Sequence, residues 1–142
     1  MSLSVVRPYF RTRCEALNYK EHEDGFNFES IPAGMFERAY NISAPSTSVK
    51  AQHMSHVELT TQVTVSLFTM AIRSTSLKID TVISTAETLM KECCKVSNSL
   101  ASSNIKKVDF LGMRVEPVDP SNNTAFKVEL EFQVLTIIDL NN

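Results

Sequence analysis

Two histidines three residues apart, His53 and His56, are the first residues here whose types and spacing could support chemistry. A metal site needs three or four ligands and a supporting shell of groups around them, and the remaining histidine, His22, lies far away in the chain. Cys93 and Cys94 are adjacent, without the two-residue gap of a zinc knuckle. We therefore expect no metal ion and no other cofactor.

A second candidate is acidic, because Glu129 and Glu131 share one face of a predicted strand. With Lys127 and with Glu116 from the preceding strand, they could imitate the carboxylate and lysine cluster of a nuclease. The ordinary interpretation, the solvated face of an antiparallel sheet, is favoured. A small metal-dependent hydrolase or nuclease that uses these sheet carboxylates stays open as an alternative.

Nucleophilic catalysis and phosphate binding lack their motifs. The sequence has no Gly-x-Ser-x-Gly elbow, and its three glycines, Gly25, Gly34 and Gly112, cannot build a glycine-rich phosphate loop. A pairing of Cys14 with His22 has nothing to support it. The chain is therefore expected not to be an enzyme.

The composition suits one globular domain over residues 1–142, since 43% of the residues are hydrophobic. Fourteen basic residues against 16 acidic ones give a net charge of -2, which argues against sequence-independent nucleic-acid binding. Three cysteines form no disulfide framework, which indicates a reducing compartment. Without a signal peptide or a long apolar run, we expect a cytoplasmic protein with no membrane contact.

These side chains are positioned by elements that the hydrophobic pattern predicts. Apolar and polar residues alternate over 57–71, which predicts one long half-buried strand. Helical spacing of apolar residues over 4–18 and 75–97 predicts two helices. Further strands are predicted at three places, 35–43, 106–116 and 126–140. The order is α-β-β-α-β-β, so the fold class is α+β: a four-stranded, mostly antiparallel sheet with helices packed on one face.

Two irregularities in the strand pattern are informative. The apolar phase of the third strand changes beside Gly112, which predicts a β-bulge. In the last strand, Leu135 and Ile137 interrupt an otherwise polar face. Apolar residues on both faces indicate a strand that is covered on both faces. We expect the helices to cover one face and another subunit to cover the second.

Residues 43–56 show neither a helical nor a strand period, and Ser, Thr and Pro dominate their first half. A loop of this length in a compact domain is usually functional or disordered. We therefore expect contacts with a partner from five of its residues, Val49, Lys50, His53, Met54 and His56. Arg7, Arg11 and Arg13 of the first helix line a basic face that is either simply solvated or meets an acidic partner surface.

The sequence resembles the tail terminator (tail completion, tail-to-head joining) proteins of long-tailed bacteriophages, the lambda tail-terminator type. The likeness covers nearly the whole chain and rests on element order and local pattern. Four stretches carry it: VRPYFRTRCEAL at 6–17; DGFNFESIP at 24–32 leading into FERAYNI at 36–42; VSLF at 65–68, which ends the long strand; and VELEFQV at 128–134.

The resemblance implies a homo-oligomeric ring, usually a hexamer, that caps the phage tail tube, ends its polymerisation and presents a surface to the head connector. Its implied partners are the tube protein and the connector or neck protein, while DNA passes through the lumen without specific binding. Glu129 and Glu131 would line that lumen. The implied location is the head-proximal end of the tail in the virion, assembled in the bacterial cytoplasm. A monomeric module that takes a peptide strand onto its sheet edge is a further alternative.

Overall fold

The computed structural model describes residues 3–21, 38–70, 79–101, 104–119 and 122–140. Its helices are α1 (Leu3–Ala16), α2 (Ile79–Cys94) and α3 (Val96–Ala101). Its strands are β1 (Lys20–Glu21), β2 (Arg38–Gln52), β3 (His56–Met70), β4 (Ile105–Asp119) and β5 (Asn122–Asp139). The predicted starts of the first strand, at 35–37, and of the second helix, at 75–78, lie outside the described residues, as does His22.

Within the described residues the strands form one mixed sheet in the order β1-β2-β3-β5-β4, with β1 parallel to β2 and the other pairs antiparallel. The α+β class is confirmed, but the four-stranded order α-β-β-α-β-β is wrong. β1 adds a strand, and a break at Lys95 divides the second helical segment into α2 and α3. A two-residue strand is too short to show an alternation in the sequence.

Residues 43–56 are not the long loop that their composition predicts. β2 and β3 run almost to the turn, where the His53 backbone N–H donates to the His56 carbonyl at 2.9 Å. The β2/β3 register shifts twice, once beside Pro45 and once beside Lys50, and each shift inserts one extra residue into β2. The extra residues reverse which side chains share a face, so the two-residue period is hidden in the sequence.

The bulge predicted beside Gly112 is confirmed by a register shift between Phe110 and Gly112 in the β4/β5 pair. Two further shifts interrupt β4, one near each of its ends. The inner pair is regular, since β3 and β5 stay in register from His56 to Met70. The irregularities are therefore concentrated in β2 and β4, the two long strands that flank this pair.

The core lies between one face of the sheet and the helices. Phe10 of α1 packs against Phe132 of β5 with ring centroids 5.0 Å apart. The Tyr9 hydroxyl donates to the Cys93 carbonyl at 2.6 Å, which ties α1 to the end of α2, and burial raises the pKa of Tyr9 to about 12. The core also contains buried apolar residues of the long elements, among them Val6, Tyr40, Val65, Leu67, Leu89, Leu130 and Val134.

The sheet is longer than its helical cover. The 16 residues of α2 span about 24 Å, whereas the 15 residues of β3 span about 50 Å. On the helix-facing side of β3, Leu67 and Val63 are buried, but Leu59, in the same phase, is only partly buried. We call this end of the sheet, residues 46–60 and 135–140, the wing; among its described helix-facing residues, Thr136 is still buried at 1% exposed, whereas Val49 is 61% exposed.

Candidate assembly surface

The wing carries apolar side chains on both of its faces. On the helix-facing side, Val49 lies opposite Leu59 and is 61% exposed. On the other side, Leu135 and Ile137 are only partly buried. A sheet end that is apolar on both faces is typical of a surface that packs against another protein. The cover of Leu135 and Ile137 by a second subunit stays a prediction.

The turn at the end of the wing brings together the histidines that the sequence singled out. The His53 and His56 rings stack with centroids 4.4 Å apart and planes 29° apart. Met54, between them, is 97% exposed. A cavity of about 270 Å³ beside the turn is lined by Ser55, His56, Ile137 and Asp139. This group places an exposed thioether and two imidazoles at the turn between β2 and β3.

The arginines of α1 make contacts within the chain. Arg7 and Arg11 both pair with the Glu21 carboxylate, each at 3.1 Å, and this fastens α1 to β1. The guanidinium of Arg13 stacks over the Tyr9 ring, 4.4 Å from its centroid. The Arg7 and Arg11 side chains are still about 40% exposed, so a contact with an acidic partner stays a prediction beside these intramolecular roles.

Glu129 is neutralised on the face of the sheet opposite the helices. Lys127 lies 2.9 Å and Arg114 lies 3.0 Å from its carboxylate oxygens. The hydrogen bond from Lys127, followed by the charge of Lys127 and the contact with Arg114, lowers the pKa of Glu129. A carboxylate held by two cations adds little negative charge to its surface, which weakens its case as an acidic lumen lining or as a metal ligand.

Glu131 lies on the same face in a different setting. It is exposed and forms no ion pair with any other described residue. Its register partner on β4 is Gly112, which has no side chain to cover it. A cavity of about 310 Å³ is lined by Gly112, Met113, Arg114, Glu129 and Glu131. The absence of a side chain at Gly112 therefore leaves the Glu131 carboxylate accessible.

Other charges on this face are paired nearby. Lys106 lies 3.2 Å from Glu58, and Lys107 lies 3.4 Å from Asp109. Lys50, in the second β2 bulge, is exposed and has no ion pair among the described residues. The outer sheet surface therefore combines paired charges with a few open ones.

Among the described residues, the core brings two thiols near each other, since the charge of Cys14 adds to the burial that raises the pKa of Cys93. The part of the chain that the structure describes holds no group of three His, Cys, Asp or Glu side chains suited to a metal ion. Cys14 and Cys93 are buried free thiols, and burial raises the pKa of each, which keeps them protonated. None of the described helices is both long enough and apolar enough to span a bilayer.

Sequence reasoning missed one exposed pair, Leu111 and Met113 on β4, which are 49% and 37% exposed. Their apolar character was visible, but it was interpreted only as a change of phase at the bulge. The signal that would have found them is the position of β4 at the end of the strand order, where an apolar side chain has no neighbouring strand to pack against.

No protein-family model matches the sequence, and no curated protein matches it significantly. Among solved structures, a chain in the virion of a native gene transfer agent particle is similar in fold. It aligns with a TM-score of 0.52 and 12% identity, over 95% of this chain and 93% of that chain. PilO, a type 4 fimbrial biogenesis protein from Pseudomonas aeruginosa, aligns over 69% of this chain and 56% of its own, with 11% identity and a TM-score of 0.31, too low to support an argument. This chain therefore shares its fold with a component of a virion.

Proposed function

We propose that this chain is a structural virion protein that assembles with copies of itself into a ring at the end of a phage-type tail. The ring caps the tail tube, ends its polymerisation and presents a joining surface to the head connector. The single observation that carries the proposal is the wing, because a sheet that extends beyond its helices with apolar residues on both faces is suited to assembly.

Two further findings support this proposal. The shared fold with a chain of a gene transfer agent virion extends over almost the full length of both chains. The residue patterns also resemble those of phage tail terminators. In this function the partners are a tail tube protein, a head-tail connector and further copies of the chain, and the location is the head-proximal end of the tail. The chain needs no catalytic residue and no cofactor for it.

The order of the strands is compatible with a contact between two different sides of the sheet. β2 and β4 lie on opposite sides of the β3/β5 pair, so one sheet presents two different long outer strands. A contact between two different surfaces is heterologous, and it closes into a ring when the rotation between neighbours divides a full turn. Apolar surface on the wing would then be buried between neighbours or against the tube.

The test is negative-stain microscopy and native mass spectrometry of the purified chain across a range of concentrations, with and without polymerised tail tubes. Closed rings, or caps at tube ends with no further tube growth, are the expected result. A chain that stays monomeric and leaves tube growth unchanged would exclude this function.

The same samples address the hydrolase alternative, because a nuclease would degrade DNA in the presence of a divalent metal ion. The pairing of Glu129 with Lys127 and Arg114 disfavours that activity. We expect no degradation, and activity that disappears in Glu129→Ala would favour the alternative instead.

A further inference from the structure

Two charged residues of opposite sign, Lys50 and Glu131, each lie beside exposed apolar residues. One is on β2 and the other is next to β4, so they lie near opposite edges of the sheet. Lys50 follows Val49 along β2, where Val49 is 61% exposed. Glu131 on β5 lies next to the β4 segment that carries the exposed residues Leu111 and Met113. Neither Lys50 nor Glu131 forms an ion pair within the described residues. The hydrogen bond from Lys106, followed by contributions that include the charge of Lys50, lowers the pKa of Glu58, but Glu58 has Lys106 as its ion-pair partner.

The cavity beside Glu131 is suited to one cationic side chain. A Cβ atom at Gly112 would meet nothing within 4 Å, so the space above this residue is open. The cavity has a volume of about 310 Å³. Glu129 on its wall already forms ion pairs with Lys127 and Arg114. A cation that enters the cavity therefore has Glu131 as its available carboxylate.

We propose that Lys50 of one copy enters the cavity above Gly112 of the next copy and pairs with its Glu131, while Val49 packs against Leu111 and Met113. This inference rests on the proposed ring and names the side chains that meet in it. It also revises one expectation from the sequence, because Glu131 would face a neighbouring subunit instead of the passage for DNA.

A second copy fits this cavity because both halves of the contact are on one chain, at different places on its sheet. Val49 pairs in register with Leu59, and Met113 with Leu130, which is buried against the helices. Val49 and Met113 are thus on the helix-facing side of the sheet, and neighbours arranged side by side would bring these two residues together. Opposite charges fix the register of such a contact, whereas the apolar residues supply buried area.

Charge reversal tests the contact directly. We would compare the wild-type chain with Lys50→Glu, Glu131→Lys and the matched control Lys91→Glu, which reverses an exposed charge on α2. Native mass spectrometry would give the concentration at which each variant is half assembled, and circular dichroism would check folding. Each single reversal at the contact is expected to raise that concentration by about tenfold or more, because it puts like charges together.

Mixing the two contact variants gives the sharper result. The two variants are mixed in equal amounts. Where the Lys50→Glu variant reaches into the cavity of the Glu131→Lys variant, the new carboxylate at position 50 meets the new ammonium group at position 131, so the charges are again opposite. At the next contact around the ring, the unchanged Lys50 of the second variant meets the unchanged Glu131 of the first. Assembly should therefore return in the mixture, with the two masses alternating. Gly112→Leu should also block assembly, because it puts an apolar side chain into the cavity without changing any charge, and its Cβ meets nothing within 4 Å in the monomer.

The outcomes separate this inference from the proposed function. If the wild type forms rings and the contact variants assemble as well as Lys91→Glu, the Lys50–Glu131 contact is wrong and the ring stands. Failure of the mixture to recover, with both variants folded, also overturns the contact. If the wild type does not assemble at any concentration or on tube ends, both proposals fall.

Discussion

The two ends of β3 carry similar side chains on the same face but meet different surroundings. Leu67 at one end lies under the helices and is 1% exposed, whereas Leu59, eight residues earlier, lies in the wing and is only partly buried. The alternation is the same at both ends, so the sequence shows which face is apolar but not what covers it. The described helices are shorter than the strand, and a partner that covers the wing stays a prediction.

The largest expected effect on stability comes from a matched pair of truncations, one at each end of β3. Leu67→Ala should lower the free energy of unfolding of the isolated chain by about 2–5 kcal/mol, because it leaves a cavity in a packed core. Leu59→Ala should lower it by a smaller amount, about 1–2 kcal/mol, since this side chain is only partly buried and its loss leaves no enclosed cavity. Denaturant unfolding of both variants measures the two values, and equal losses would mean that the wing is already packed in the monomer.

The same pair behaves differently in assembly. If the wing is an interface, Leu59→Ala should weaken association although it destabilises the monomer less than Leu67→Ala does. Association can be measured by native mass spectrometry at concentrations where both variants are folded. Normal assembly of Leu59→Ala would remove this residue from the interface.

The next largest effect on stability concerns the hydrogen bond that joins α1 to the end of α2. Tyr9→Phe removes the buried hydrogen bond that the Tyr9 hydroxyl donates to the Cys93 carbonyl. We expect a loss of about 1–3 kcal/mol in the free energy of unfolding. Hydrogen exchange should show faster opening of the last turn of α2, with little change in the wing. Uniform changes across the chain would instead indicate that the helices and the wing unfold as one unit.

A smaller effect on stability, of opposite sign at the two positions, is expected for two buried threonines, Thr61 and Thr136. The Thr61 hydroxyl bonds to Thr47 at 3.1 Å, but the hydroxyl of Thr136 is buried without a partner among the described residues. Thr136→Val should therefore raise the free energy of unfolding by about 1 kcal/mol, whereas Thr61→Val should lower it by a similar amount. Thermal or denaturant unfolding of the two variants is the measurement. A loss in both would mean that Thr136 has a partner, such as a bound water molecule.

The smallest effect is a dependence of stability on pH. Lys127 and Arg114 lower the pKa of Glu129 in the folded chain, so its ion pairs stabilise the fold above the pKa of an unfolded glutamate, about 4.3. That contribution is lost as the pH falls through the lower folded value. Glu129→Gln should cost less than about 1 kcal/mol at neutral pH and nothing at strongly acidic pH. Unfolding curves across this range test it, and a cost that does not change with pH would contradict the ion-pair explanation.

Regular elements could be predicted well from the sequence because their side chains follow one period. The alternation of β3, the helical spacing of α2 and the phase change at Gly112 each appear in the structure where they were expected. The far half of β2 could not be predicted, since two extra residues, near Pro45 and Lys50, shift its period. Serine and threonine suit both an exposed edge strand and a loop, so composition could not decide between them.

The candidate surface was predicted less completely than the fold. The sequence singled out Val49 and Met54 as contact residues, and the structure shows both to be exposed, although on a hairpin and not on a loop. It also singled out Glu129, but its neutralisation depends on Arg114, a residue from another strand. Pairings across a sheet depend on register, and bulges make register invisible to a single sequence.

The bulges in β2 and β4 have a consequence for how the chain behaves before it finds a partner. A smooth outer strand offers an uninterrupted series of backbone donors and acceptors, and any extended chain can dock onto it. In β2 and in β4 that series is interrupted by two extra residues each. Only a surface shaped to these interruptions can match them over their full length, which disfavours open-ended fibre growth through these two strands.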